Sequence, residues 1–312
     1  MSKLQRIARN GCFRASFVRA AHTIPGRPSA DPYVPPVKPG QSKIYDEALK
    51  LIQEDRENIL KKLEDSTLTP AEREHFEIVA WVNEPEVLWR ARNGHSDLSV
   101  PVYRYLAERA WRKEGRLAIS NQRITQMNVT PDVVPSLQPT VDLELLVDGQ
   151  VLESGSFLSP HKTKQAAPSL NAQVFHPEEK LYTLLLVDPD VPDVKNQTFT
   201  AYAHQLIHNI PLSSVSKTVN GGSQVYDYVP PHPAQYTPYH RYTYVLFAQS
   251  QPIQYPSKEA QPRLGFSARK LMADHKLEAS AIAFWRAEWD RTVPAIYKEL
   301  NIPEPRYGKP RN

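Results

Sequence analysis

The chain has 312 residues, 40% hydrophobic and 23% charged, and no apolar run approaches the roughly 18 residues that a membrane-spanning helix needs. It carries 29 prolines, 11 glycines and one cysteine, Cys12, which excludes collagen-like and Gly/Ser-linker chains, an internal disulfide and a thiolate metal cluster. The formal charge is +4, and its placement says more than its sum. Residues 1–30 hold six basic side chains and no acid; residues 31–89 hold seven basic against thirteen acidic; residues 90–123 hold eight basic against three acidic.

The first block, Arg-rich and acid-free with Ser2 and Ser16 among its charges, predicts a mitochondrial transit peptide over residues 1–25. A basic arm that binds nucleic acid has the same composition. Cleavage near Arg19–Pro25 would leave a nearly neutral chain. Residues 26–42 follow as a Pro-rich linker, with Pro28, Pro32, Pro35, Pro36 and Pro39. A charged helical extension is predicted over 43–124. Tyr45, Ala48, Leu49, Ile52, Ile59, Leu60 and Leu63 form a stripe at helical spacing. Thr69-Pro70-Ala71-Glu72 reads as a helix start, with a capping hydroxyl, a first-turn proline and a glutamate three residues after the cap. A third helix runs from about Glu84 to Asn93 and stops at Gly94, and a fourth is predicted from Val102 to Ile124. The basic set of this region, Arg90, Arg92, Arg104, Arg109, Arg112, Lys113, Arg116 and Arg123, suits contact with an RNA backbone or with partner proteins. Ion pairing to the acidic 31–89 block accounts equally well for the same charges.

From Thr130 the pattern turns to β. Val141–Leu145 alternates as a half-buried strand does, and Leu181–Val187 and Tyr242–Phe247 are short apolar runs expected of strands buried on both faces. Helical spacing returns at Ser267–His275 and Ala279–Trp289.

Three features carry chemistry. The strand ending at Val187 runs into Asp188-Pro189-Asp190-Val191-Pro192, a carboxylate in a turn stiffened by two prolines. His204 lies 16 residues on, and Tyr239-His240-Arg241-Tyr242 enters the next apolar strand. Two imidazoles, a carboxylate and phenols can converge on an anion. No G-x-S-x-G elbow, H-E-x-x-H, P-loop or G-x-G-x-x-G occurs, so hydrolase, zinc and nucleotide chemistry lack their frames.

This set resembles the phosphatidylethanolamine-binding protein family. Asn128-Val129-Thr130-Pro131-Asp132-Val133-Val134-Pro135 resembles its opening segment, Leu181–Pro192 and His240-Arg241-Tyr242 its two signatures. Ala287-Glu288-Trp289-Asp290, with Val293-Pro294 and Tyr297, is similar to its C-terminal helix. The resemblance implies a mainly β fold, a Greek-key β-sandwich over 125–302, preceded by the charged helices and followed by a basic tail over 303–312. It implies a pocket for a small anion or phospholipid headgroup made by Asp188, His204, His240, Tyr242 and Tyr297. Where the family has a Gly-Thr-Gly type stretch, this chain has His232-Pro233-Ala234-Gln235-Tyr236-Thr237-Pro238-Tyr239, whose bulk narrows the way in.

The helical extension ahead of the sandwich resembles the mitochondrial large-subunit ribosomal branch of this fold. That resemblance implies a structural, non-enzymatic role in the mitochondrial matrix, with ribosomal proteins and large-subunit rRNA as partners and no cofactor or metal. The alternatives are a free mitochondrial protein that binds headgroups or small anions, and a regulator of a protease or kinase.

Overall fold

A computed structural model describes residues 24–26, 32–113, 115–254 and 262–308. The predicted transit arm therefore lies outside the described residues except at its last two positions, as do Lys309 and Arg311 of the tail. The chain divides into two compact units, one ending at Ala110 and one running from Trp111 to Asn312.

The first unit is helical. α1 (Lys43–Lys62) is capped by Ser42, whose hydroxyl accepts from the Tyr45 amide. α2 (Pro70–Trp81) starts with the predicted capping box: Thr69 accepts from the Glu72 amide and Glu72 accepts from the Thr69 amide. α3 (Pro85–Arg92) and α4 (Pro101–Lys113) follow. Ile59, Ala80, Trp81, Val87, Val102, Tyr103 and Leu106 form its core. Two of the predicted contact cations are spent inside it. Arg104 is buried, paired with Glu74 at 2.6 Å and donating to the Leu98 and Ser99 carbonyls. Arg90 is buried and paired with Glu86 at 2.6 Å. Both are corrected from surface contacts to internal ion pairs, because their stems complete the apolar core while their heads meet acids of the 31–89 block.

The helix predicted over Val102–Ile124 is two helices. α4 ends before Gly115, which sits at φ +87°, and α5 (Arg116–Gln126) restarts after it. Only a residue without Cβ takes that left-handed conformation freely. Residues 111–124 belong to the second unit, whereas the sequence groups them with the extension. Trp111 packs on Phe175, Arg116 bonds Asp142 and Glu144, and Arg123 bonds Glu153 and the Ser154 carbonyl.

The second unit is layered on a five-stranded antiparallel sheet. A short turn, α6 (Val129–Asp132), leads into β1 (Asp142–Val147) and β2 (Gln150–Leu152); α7 (Pro160–Thr163) and β3 (Ser169–Gln173) follow. These three strands form a small sheet in the order β2-β1-β3. The large sheet holds β4 (Lys180–Asp193), β5 (Thr198–Leu212), β6 (Ser223–Tyr226), β7 (His240–Ala248) and β8 (Glu278–Ala287), ordered β6-β5-β4-β7-β8. Three consecutive strands and a fourth returning beside the first make this a Greek key. α8 (Ala268–His275) and α9 (Val293–Glu299) complete it.

Alternation assigns the faces. Leu184, Leu186, Tyr242, Tyr244, Leu246, Ala281, Ala283 and Trp285 share a core with Leu145, Leu170 and Ala172 of the small sheet. Leu185, Val187, Val245, Phe247, Ile282 and Phe284 share the opposite core with Ile124, Val129, Val133, Ala268 and Leu271. The large sheet is thus covered on both faces, which explains why β4 and β7 read as continuous apolar runs.

One element was misassigned by spacing. Residues 279–289 read as helix, yet Glu278–Ala287 is β8, paired with β7 from Ala248↔Glu278 to His240↔Ala287. Its alanines suit a helix by propensity, but each is a small partner for a large neighbour. Ala283 faces Tyr244, while Trp285 stacks on Tyr242 at 5.6 Å. Packing overrides a propensity of a few tenths of a kcal/mol per residue. Among the described residues no helix is long and apolar enough to cross a membrane.

Covering both faces predicts that Leu185→Ala and Leu186→Ala, on neighbouring and opposite-facing positions, each destabilise the chain by about 2–5 kcal/mol. Denaturant unfolding of the two variants checks this; one near-neutral variant would mean that one face is uncovered.

Candidate functional site

The backbone ladder between β4 and β7 runs from Tyr182↔Ala248 to Val187↔Thr243 and ends there. Beyond it the two strands are joined by side chains. Asp188 Oδ2 lies 2.7 Å from His240 Nδ1, with both groups buried, and Asp188 Oδ1 accepts from the Asp190 amide at 2.8 Å. Two residues on, Asp190 takes the Arg241 guanidinium in a fork, from Nη2 at 2.6 Å and Nε at 2.8 Å, and also accepts from the Arg241 amide. Arg241 Nη1 donates to Asp132 at 2.8 Å and to the Met127 carbonyl at 2.7 Å. The prolines predict a turn after Val187, but the strand does not turn there. β4 continues through Asp188-Pro189-Asp190 to Asp193, because β5 goes on pairing with it past register shifts. The Asp-Pro-Asp stretch and the His-Arg pair form one clasp that also fixes the 127–132 turn.

The hydrogen bonds specify protonation states. Thr237 Oγ1 donates to the Ala234 carbonyl at 2.7 Å and lies 2.9 Å from His240 Nε2, so His240 meets an acceptor at each nitrogen and is an imidazolium. Burial alone would lower its pKa, but the charge and hydrogen bond of Asp188 outweigh burial and raise it. Burial opposes the charge on Asp188 too. The charge and hydrogen bond of His240, with the Asp190 amide, reverse that and hold its pKa below the usual value. His204 is neutral: Nδ1 donates to the Val229 carbonyl at 2.8 Å, and burial, with His232 nearby, lowers its pKa to about 3.

The tyrosines complete the cluster. Tyr242 lies in an edge-on contact with His204 at 5.1 Å and is fully buried; its hydroxyl sits near Asp188 without a hydrogen bond of normal geometry. Tyr297, on α9, donates to the His232 carbonyl at 2.9 Å. All five residues singled out by sequence thus gather at the end of the β4–β7 ladder. A sixth was not foreseen in the role it takes. The His232 ring packs 5.1 Å from each of His204, Tyr202 and Tyr297 and bonds the Pro230 carbonyl through Nδ1. It stands inside the cluster, and buried Pro233 and Ala234 follow it. The sequence flagged this stretch as bulky but could not say that one ring would turn inward. Asp190, Arg241 and Thr237 were also missed as partners, though their positions beside Asp188 and His240 were the available signal.

Of the basic set, Arg92, Arg109, Arg112, Lys113 and Arg116 are exposed, and Arg112 stacks over Trp111 at 5.1 Å. Arg116 and Arg123 are already engaged by acids of the second unit. Among the described residues no three His, Cys, Asp or Glu side chains converge where a metal ion could be held.

Burying His204 neutral has a pH consequence. Its folded pKa, about 3, lies below the unfolded value of about 6.5, so unfolding takes up a proton between them. Stability then falls as pH falls, by about 1.4 kcal/mol per pH unit from this residue. His240 acts in the opposite sense: its stabilisation is complete below the unfolded pKa and is lost as pH rises through the raised folded one. His204→Asn keeps a donor for Val229 while removing the titration. Denaturant melts between about pH 4 and 6 are expected to show a slope shallower by about one proton. An unchanged slope would mean that His204 is charged in the folded chain.

Comparison with known proteins follows the same division of the chain. Residues 146–285 match the family model described as phosphatidylethanolamine-binding protein. The large ribosomal subunit protein mL38 of Schizosaccharomyces pombe (strain 972 / ATCC 24843) is 28% identical over 267 residues, covering 82% of this chain and 86% of that protein. A putative odorant-binding protein, A5, of Drosophila melanogaster is 24% identical over 183 residues, covering 56% of this chain and 83% of its own. Among solved structures, a carboxypeptidase Y inhibitor complexed with its cognate proteinase aligns at TM-score 0.47 and 20% identity, over 55% of this chain and 95% of that one. A phosphatidylethanolamine-binding protein from Plasmodium vivax aligns at TM-score 0.45 and 18% identity, over 54% and 97%. The matched segment runs from the end of β1 into β8 and contains the Asp188–His240 clasp, so the chain carries a phosphatidylethanolamine-binding-protein-like domain behind an N-terminal helical region.

Proposed function

We propose that this chain is a structural, non-catalytic component of the large subunit of the mitochondrial ribosome. The observation that carries the reading is the extent of its similarity to mL38: 267 residues, a span too long for the sandwich alone, so the helical region shares in it. The Arg-rich first 25 residues serve as the import leader and direct the chain to the matrix, and residues 26–42 link it to the helical extension. The domain over 125–302 acts as a rigid block. Ribosomal proteins and rRNA are met through the exposed cations Arg92, Arg109, Arg112 and Lys113, with Arg306 of the 303–312 tail contributing beside them. A cluster against which the chain's own His232 ring packs fits a scaffold better than a receptor.

One observation favours the second reading, a free binder of headgroups or small anions: among the described residues the buried Tyr242 hydroxyl, beside Asp188, makes no hydrogen bond of normal geometry. Sedimentation of a tagged mitochondrial lysate through a high-salt gradient separates the two. The chain is expected to travel with the large subunit, and Arg109→Glu with Lys113→Glu is expected to shift most of it, by about tenfold or more, to light fractions while leaving its melting temperature unchanged. A wild-type chain found only in light fractions would overturn the ribosomal reading.

A further inference from the structure

The sandwich carries an exposed aromatic–cation cluster, built from residues that lie far apart in sequence. Segment 155–158 is stitched along β8: Gly155 N donates to Phe284 O at 2.7 Å, Arg286 N to Ser156 O at 2.9 Å and Leu158 N to Arg286 O at 2.9 Å. This sets Phe157 opposite Arg286 across a parallel bridge. The guanidinium lies 4.1 Å from the Phe157 ring centre and 5.1 Å from that of Tyr239, and the two rings meet edge-on at 5.8 Å. Arg286 Nε donates to the Gly155 carbonyl at 2.7 Å, which locks the guanidinium plane. Phe157 is nevertheless 54% exposed and Tyr239 38% exposed. A large aromatic left in water but held rigidly has its ordering entropy settled by the fold, which is what a preorganised contact requires.

We propose that Phe157, Arg286 and Tyr239 form a platform on which an unpaired RNA nucleotide stacks, its base on the aromatic face and its phosphate drawn by Arg286. This goes beyond the helical cations of the ribosomal reading, because it puts an RNA contact on the sandwich itself. Charge selects the partner. Among the described residues Arg286 has no carboxylate within ion-pair distance. Asp290, the acid bonded to the next stretch of chain, is committed to Ser159, to the His161 amide and to the Thr292 amide. The cluster therefore offers flat π faces and an uncompensated cation, the pair that single-stranded RNA uses. An aliphatic anchor from a partner protein would use the rings and leave the cation unmet.

Fluorescence anisotropy of the full chain with a labelled oligouridylate of about a dozen nucleotides tests this. Phe157→Ala and Phe157→Leu are both expected to weaken binding by about fivefold or more, since leucine restores apolar area but no π face. Their salt dependence is expected to stay that of the wild type, whereas Arg109→Glu with Lys113→Glu would flatten it. The same sequence presented as a duplex is expected to bind equally to wild type and to Phe157→Ala. Oligouridylate affinity unchanged in Phe157→Ala, or no binding by the wild-type chain, would overturn the proposal. Loss of Phe157→Ala from the large subunit at unchanged RNA affinity would assign the surface to a protein partner instead. A wild-type chain absent from the particle that still loses RNA affinity on Phe157→Ala would sink the ribosomal reading and leave this one standing.

Discussion

The domain depends on a clasp of two carboxylates and two cations where β4 and β7 run out of backbone pairing. Strands that separate must satisfy their polar groups by other means. Here Asp188 holds His240 and Asp190 holds Arg241, which reaches on to Asp132 and the Met127 carbonyl. The chain order makes the device possible. The two acids are spaced two apart on one strand, the two cations are adjacent on the other, and the register places each beside its partner. Such pairs are poor sources of net stability, because desolvation offsets most of the attraction. Breaking one leaves a buried charge, which typically costs 3–5 kcal/mol. Their value is in defining which arrangement is native.

The same clasp sets the electrostatics of everything near it. An Asp188–His240 ion pair lets both ionised forms persist in a site that would otherwise neutralise them. His204, which donates to a carbonyl rather than to a carboxylate, receives no such support and stays neutral. Two histidines 36 positions apart, on the strands either side of β4, thus carry different charges for a reason visible in their partners. His232 then fills the space between His204, Tyr202 and Tyr297, and Tyr297 ties α9 to the His232 backbone. A cluster with the residue types of an anion receptor thus packs against a ring of its own chain.

Cations are divided by depth in the same way. The basic block between 90 and 123 looks uniform in sequence, yet Arg90 and Arg104 are structural, Arg116 and Arg123 tie α5 to the small sheet's strands and the 153–154 segment, and Arg92, Arg109 and Lys113 stay exposed. Burial of a guanidinium is acceptable only beside a carboxylate and carbonyls, and helix geometry determines which cations find them.

A helical region ahead of a β domain, the capping box at Thr69, the apolar runs of β4 and β7 and the five candidate site residues are legible in the sequence. These are local properties: hydrophobic periodicity and cap chemistry act within a few residues, and four of the five motif residues stand on β4, β5 and β7, with Tyr297 on α9. The rest follows from contacts made at long range. Residues 279–287 are a strand because Tyr242 and Tyr244 across the ladder call for Trp285 and Ala283. The basic block divides into structural and exposed members because Glu74, Glu86, Asp142 and Glu153 lie where they do. The inward turn of His232 and the Phe157–Arg286–Tyr239 stack join residues up to about 130 positions apart, as the Gly155–Arg286 bond does. Such pairings depend on strand register and on packing at distance, which no window of the sequence contains.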